Sequence, residues 1–269
     1  VIVTAVGEVS DIRKAVKPIV SQDKDTELLY INLSKDNFKL GGSTLAQVLD
    51  KIGDNAPDVL DTDYFKNCFN SIQKLIEDKL VIAGHDVSAG GLITTLLEMT
   101  FANCEGGLDI DLSAFSNNDL ISVAFSEQPS VVIQIKDNKA KEILLNNDID
   151  FVVIGKPQEK REISLRKDEE SYSLDINVLR DLWFKSSYLL DIKQSGERKA
   201  LERYNNYKKQ DLRYDFSPNF TGKAADLGID MHRRTESGIK AAIIREKGVN
   251  GDREMAYALY LAGFDVKDI

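Results

Sequence analysis

The segment Glu27-Leu28-Leu29-Tyr30-Ile31-Asn32-Leu33 constrains this chain most, because its nearly unbroken apolar run reads as a β-strand that has to be buried. A buried strand needs covering layers, and the surrounding sequence carries helical patterns that can supply them. From Asp63 to Leu80 the residues Phe65, Phe69, Ile72, Ile76 and Leu80 recur at three- and four-residue spacing, as one apolar helix face requires. Further helices are expected over Asp11–Val20, Leu92–Ala102 and Lys139–Asn146. Further strands are expected over Val1–Gly7, Val81–Ala83, Leu108–Leu112, Ser130–Ile135 and Phe151–Gly155. This mixture predicts an α+β domain over residues 1–165.

Beyond it, alternating charges over residues 159–173 fit a terminal hairpin, and a helix over Ile176–Ile192 carries the only Trp, Trp183. The stretch from Gly196 to Gln210 is rich in Lys, Arg, Tyr and Asn, and Asp211–Gly228 holds Pro and Gly, so residues 166–238 read as an ordered connector. Residues 239–269 offer a strand over Lys240–Glu246, a turn over Lys247–Gly251 and a helix over Asp252–Leu261 closed by Gly263. One βα unit has no second layer for its sheet face, so this segment reads as a truncated α/β domain. The lack of an initiator Met and the new apolar segment at Gly263–Ile269 lead us to expect a fragment cut at both ends.

Charge narrows the partners. A formal net charge of −9 disfavours nonspecific nucleic-acid binding, although a local loop, helix start or cation can still hold a phosphate. No run approaches the ~20 apolar residues of a membrane helix, so the expectation is a soluble cytoplasmic protein without a nucleic-acid or membrane partner. Cys68 and Cys104 form neither a disulfide framework nor a zinc pattern, and both read as buried thiols.

The string richest in chemistry is Gly84-His85-Asp86-Val87-Ser88-Ala89-Gly90-Gly91, expected as the loop between a strand and a helix. Asp86 could supply a hard oxygen to Mg²⁺, Ser88 could contact a phosphate, and N–H groups near Gly90 and Gly91 could face an anion. The same residues also suit simple helix capping and a tight turn. His85 is one of two histidines, which excludes a multi-histidine metal site but leaves a donor or base role open; His232 reads as solvated or packing. Leu40-Gly41-Gly42-Ser43 likewise opens a helix and suits an anion, yet it lacks the Gly-Lys-Ser/Thr ending of a P-loop. Glu98 reads as a solvated helix residue, and Asp109 and Asp111 as the polar face of a half-buried strand rather than a catalytic carboxylate pair.

Several separated motifs in order carry a more specific signal. Leu40-Gly41-Gly42-Ser43-Thr44-Leu45-Ala46-Gln47, Gly53-Asp54-Asn55-Ala56-Pro57-Asp58-Val59, the 84–91 string continued by Leu92, and Leu97-Glu98-Met99-Thr100-Phe101-Ala102 together resemble the large-type phosphoribosylformylglycinamidine synthases. Ile244-Arg245-Glu246-Lys247-Gly248-Val249-Asn250-Gly251-Asp252-Arg253-Glu254-Met255 and Ala262-Gly263-Phe264-Asp265 resemble the start of that family's glutaminase domain, a class I glutamine amidotransferase domain.

The resemblance implies a C-terminal domain of the aminoimidazole ribonucleotide synthetase type over residues 1–165. It implies an enzyme that joins ATP, glutamine and formylglycinamide ribonucleotide chemistry in purine biosynthesis, forming a C–N bond. Asp86 would be a Mg²⁺ ligand and Ser88 a nucleotide contact for ATP or ADP, with Gly41, Gly42, Ser43, His85, Gly90 and Gly91 as possible phosphate or substrate contacts. The partners would be the missing N-terminal synthetase half and the rest of the glutaminase domain, so the isolated chain is expected to be inactive. The family more often has Arg-Ser-Asp-Gly-Gly where this chain has Val87-Ser88-Ala89-Gly90-Gly91, which removes two polar side chains from the loop. Two alternatives stand beside this reading: a same-fold ATP-dependent kinase or synthetase that uses no glutamine, and a non-catalytic module that holds a nucleotide.

Overall fold

The computed structural model describes residues 4, 6, 7, 11–207, 217–219 and 221–268. They fall into two compact units divided between residues 212 and 213.

In the first unit, strand β1 (Glu27–Asn32) lies at the middle of a seven-stranded sheet ordered β2-β4-β1-β5-β3-β6-β7. The other strands are β2 (Ala83–Val87), β3 (Gly107–Asp111), β4 (Ser130–Ile135), β5 (Val152–Gln158), β6 (Glu162–Lys167) and β7 (Glu170–Asp175). All neighbouring pairs are antiparallel except β3 with β6. Because side chains alternate along a strand, Leu28 and Tyr30 enter one core and Leu29 and Ile31 the other, and all four are buried. The expected burial of this run is therefore borne out.

On the Leu29 face lie α2 (Thr62–Glu77) and α5 (Lys139–Asn146), which contribute Tyr64, Cys68, Ile72, Leu75, Ala140 and Leu144. The Leu28 face is covered by α3 (Gly91–Phe101) and α4 (Leu120–Phe125), with Leu92, Leu96, Met99 and Val123 in the core. The buried face of α2 is rotated by about one residue from the expected one: Tyr64 and Cys68 are inside, while Phe69 is half out in solvent. Tyr64 turns inward because its hydroxyl accepts the Asp150 N–H. Cys68 is buried as expected, with burial raising its thiol pKa, whereas Cys104 is only half-buried; no disulfide joins them.

Two other expectations fail for local reasons. Only a short 3-10 turn, Ile12–Lys14, forms where a helix was expected over Asp11–Val20. Pro18 disfavours helical backbone at Lys17, and the segment instead lies along the sheet edge, with the Gly84 N–H donating to Lys17 O and the Val20 N–H to Met99 O. The helix α4 has no expected counterpart; Asp119 caps it by accepting the Ser122 N–H. The expected strand over Val1–Gly7 lies largely outside the described residues.

The expected hairpin is present as β6 and β7, and the sheet continues past residue 165. Helix α6 (Ile176–Ser195) follows, and Arg161 and Arg180 attach this region to α3. Arg161 donates to Thr100 O, Gly106 O and Asn103 O, and Arg180 to Phe101 O and Asn103 O. Guanidinium groups there satisfy carbonyls at a helix C-terminus and complement its dipole. Desolvation first, then the neighbouring Arg180 charge, lowers the Arg161 pKa to about 10. Residues read as connector form α7 (Glu197–Asn206), which packs on α6 through stacked Tyr188 and Tyr204 rings and the buried Ala200.

The second unit contains β8 (Lys240–Ile243), α8 (Asp252–Leu261) and β9 (Asp265–Asp268), with β8 and β9 paired in parallel. Gly263, in the left-handed region at φ 96°, follows α8 as expected. Arg233 donates to the Asp265 carboxylate and to Phe264 O, and Asp265 also accepts the Ser237 and Gly238 N–H groups. None of this unit's described residues is buried.

Candidate functional site

The 84–91 string is split by the fold. Gly84, His85, Asp86 and Val87 lie on β2, an edge strand paired residue by residue with Ile133, Val132, Val131 and Ser130 of β4. The expected strand over Val81–Ala83 is thus displaced towards the motif, since Gly84–Val87 can complete the ladder with β4. Only Ser88, Ala89 and Gly90 form the turn into α3.

Alternation on β2 sends His85 towards α3 and Asp86 to the opposite side. The His85 Nδ1 lies 2.7 Å from the Asp86 carbonyl oxygen, so that nitrogen carries the hydrogen. The His85 ring also lies 3.3 Å from the Asp86 carboxylate and 3.5 Å, through Nε2, from Glu98. Glu98 is therefore turned to the histidine and only 29% exposed, where the sequence suggested a solvated residue. Asp86 is 71% exposed at the edge of a mainly apolar cleft of about 400 Å³ that Val16, Pro18, Ile72, Ile76 and Ile133 help to line. Ser88 is exposed, and its carbonyl accepts the Gly91 N–H.

Gly90 and Gly91 turn out to be close-packed. Gly91 has φ 72°, and a Cβ there would stand 2.6 Å from the Phe125 backbone; Gly90 has φ 89°, and its Cβ would meet Thr94. The Gly90 N–H donates to Glu127 Oε1 at 2.8 Å. At the other turn, Gly41 donates to Asn55 O, Gly42 to Ile52 O and Ser43 to Leu40 O. Ser43 is buried and caps α1 (Thr44–Val48), its hydroxyl accepting the Ala46 N–H and donating to Leu40 O. These donors are bonded within the chain, and of the three residues only Gly42 is exposed.

Sequence reading missed Glu127. Its Oε1 also accepts the Thr44 N–H, at 2.7 Å, so one carboxylate oxygen joins the two glycine turns. No local pattern marks it, because its partners lie 83 and 37 residues away in the chain. Asp109 and Asp111 stand half-buried beside buried Leu108 and Ile110, as expected for a strand face, and Asp111 pairs with Arg166 at 2.6 Å. Hydrogen bonds from the Ser113 side chain, then from Arg166, hold the Asp111 pKa down to about 2. His232 is exposed.

Among the described residues, no group of three or more His, Cys, Asp or Glu could hold a metal by itself. Asp86 nevertheless fits a Mg²⁺ that arrives with phosphates and keeps several waters, because such an ion uses only one or two protein carboxylates. Also among the described residues, no helix is long and apolar enough to cross a membrane.

A protein-family model described as AIR synthase related protein, C-terminal domain, matches residues 30–168. The chain belongs to this family. It is 34% identical over 274 residues to a probable phosphoribosylformylglycinamidine synthase, chloroplastic/mitochondrial, of Arabidopsis thaliana, covering 100% of this chain and 19% of that protein. It is 32% identical over 273 residues to the phosphoribosylformylglycinamidine synthase of Dictyostelium discoideum, covering 93% of this chain and 20% of the relative. The chain thus spans about a fifth of the length of these curated relatives. Among solved structures, Thermotoga maritima PurL complexed with FGAR is similar with a TM-score of 0.52 and 16% identity, over 63% of this chain and 30% of that one. PurLQS from the same organism is similar with a TM-score of 0.50 and 15% identity, over 63% of this chain and 28% of that one. At these identities the two structures show a shared fold, and the α+β class expected from sequence is borne out.

Proposed function

We propose that the chain is part of a phosphoribosylformylglycinamidine synthase, contributing the C-terminal domain of the second synthetase-like half and the start of the glutaminase domain. The observation that carries this reading is the 34% identity to the Arabidopsis synthase across the whole chain. The sequence of a seven-stranded α+β unit followed by a separate βαβ unit is consistent with it. The activity of the complete polypeptide would be ATP-dependent conversion of formylglycinamide ribonucleotide and glutamine to formylglycinamidine ribonucleotide, in the cytoplasm. The chain by itself would lack both synthetase and glutaminase activity.

In this reading Asp86 gives one oxygen to Mg²⁺ and Ser88 contacts an ATP or ADP phosphate. The exposure of both at the end of an edge strand supports the assignment. Mg²⁺, when bound, neutralises phosphate charge; His85, held between Asp86 and Glu98, limits the orientation of the strand end. Gly41, Gly42 and Gly90 shape the site rather than touch the ligand, since their N–H groups already have partners.

The test is calorimetric titration of Mg·ADP into the chain and its Asp86→Ala variant, with the missing N-terminal half supplied as a separate polypeptide. Binding that needs the partner half and weakens about tenfold or more in the variant supports the site; even an outer-shell partner of a bound metal is worth about tenfold or more, and a direct carboxylate ligand should be worth no less. Equal affinities would remove Asp86 from it.

A further inference from the structure

We propose that Glu127 is a positioning residue for the site at the end of β2, acting as an internal anion that locks the two glycine turns into one unit; its ligand-binding role rests on the nucleotide reading above. One oxygen, Oε1, accepts the Thr44 N–H at 2.7 Å and the Gly90 N–H at 2.8 Å. Both donors sit at helix starts, where N–H groups lack intrahelical partners and favour negative charge. A side-chain carboxylate therefore fills the position that the sequence offered to a phosphate.

Neighbouring contacts hold Glu127 in place. The Ser126 hydroxyl accepts the Lys39 N–H at 3.2 Å, and the fully buried Gln128 donates to the Tyr30 hydroxyl at 2.7 Å. Gly91 closes the junction from the other side, because any side chain there would collide with Phe125. The segment 125–128 is thus fixed to β1, to the Leu40–Thr44 turn and to the start of α3.

With the Gly90 N–H occupied and a negative charge beside it, a bare phosphate at this turn meets repulsion. The exposed Asp86 and Ser88 side remains for contact, and there a phosphate accompanied by Mg²⁺ is preferred over the anion alone.

Glu127→Ala and Glu127→Gln variants of the 269-residue chain test the lock, read by amide proton shifts and hydrogen exchange. In Glu127→Ala, the Thr44 and Gly90 amides should move upfield together and exchange about tenfold faster or more, while the Ile133 amide in β4 stays protected. Glu127→Gln keeps an acceptor oxygen without the charge and should restore part of the protection at both amides. With the N-terminal half added, Mg·ADP should bind about tenfold more weakly to the Ala variant and be partly rescued in the Gln variant. A response at only one amide, or at neither, overturns the lock. Wild-type affinity in a variant whose two amides have been released overturns the positioning role. Should Mg·ADP fail to bind wild type with its partner half, the nucleotide reading falls, while the joint amide response still decides the lock.

Discussion

The two units are held together by different physics. In the first, both faces of a seven-stranded sheet carry helices, and residues such as Leu28, Leu29, Leu75, Leu96 and Met99 are fully buried. Burying one such side chain is worth about 1.5–3 kcal/mol, so apolar packing dominates. The second unit pairs two strands beside one helix, and it leaves Ile239, Ile244, Val249 and Met255 half or more exposed. Its joining contacts are directional: the Asp265 carboxylate collects the Ser237 and Gly238 N–H groups and the Arg233 guanidinium, and the Tyr260 hydroxyl bonds Arg233 O. Two strands and a helix can form the right local geometry without enclosing a core. The comparison shows that secondary structure and stability are separate achievements, the second of which needs another layer.

The largest effect expected from this contrast is Leu96→Ala, which opens a cavity in the first unit and should cost about 2–5 kcal/mol in denaturant unfolding followed by Trp183 fluorescence. Hydrogen exchange in β8 and β9 should not change, and a common loss in both units would break the comparison. Next is Gly91→Ala, which forces a side chain into left-handed backbone against Phe125 and should cost about 1–3 kcal/mol by the same measurement. An unchanged midpoint would show that the turn relaxes and that its close packing is dispensable.

The smallest effect should appear in acid. Backbone hydrogen bonding by Ser237, then the Arg233 side chain, lowers the Asp265 pKa from 3.8 to about 2. A lowered carboxylate pKa stabilises the folded form above its unfolded value, and that contribution is lost as pH falls through the folded value. The Ser237 and Gly238 amides should therefore lose protection between about pH 4 and pH 2, and Asp265→Asn should flatten that dependence, as followed by amide exchange. Asp111, also held at about 2, gives the first unit a contribution in the same window, set against its much larger core.

Much of the fold was legible locally. β1, α2, α3, β4, α5 and α8 all form where periodicity or apolar runs predicted them, because those signals come from residues within a few positions of one another. The failures were equally physical. Asp11–Val20 carries a Pro and finds its hydrogen bonds on Gly84 and Met99. At the motif, Gly84–Val87 joins the sheet since Ser130–Ile133 offers the matching ladder. Glu98 looked solvated, yet His85 lies across from it.

The chain's own sequence determined the α+β class, the buried central strand and the positions where glycine was required, since each depends on local pattern or backbone sterics. Family membership was also readable from the order of its motifs. Only the tertiary structure decided what the glycine turns do. Their donors meet Asn55, Ile52 and Glu127, partners brought together by packing, and no local rule assigns a hydrogen bond between residues 83 positions apart.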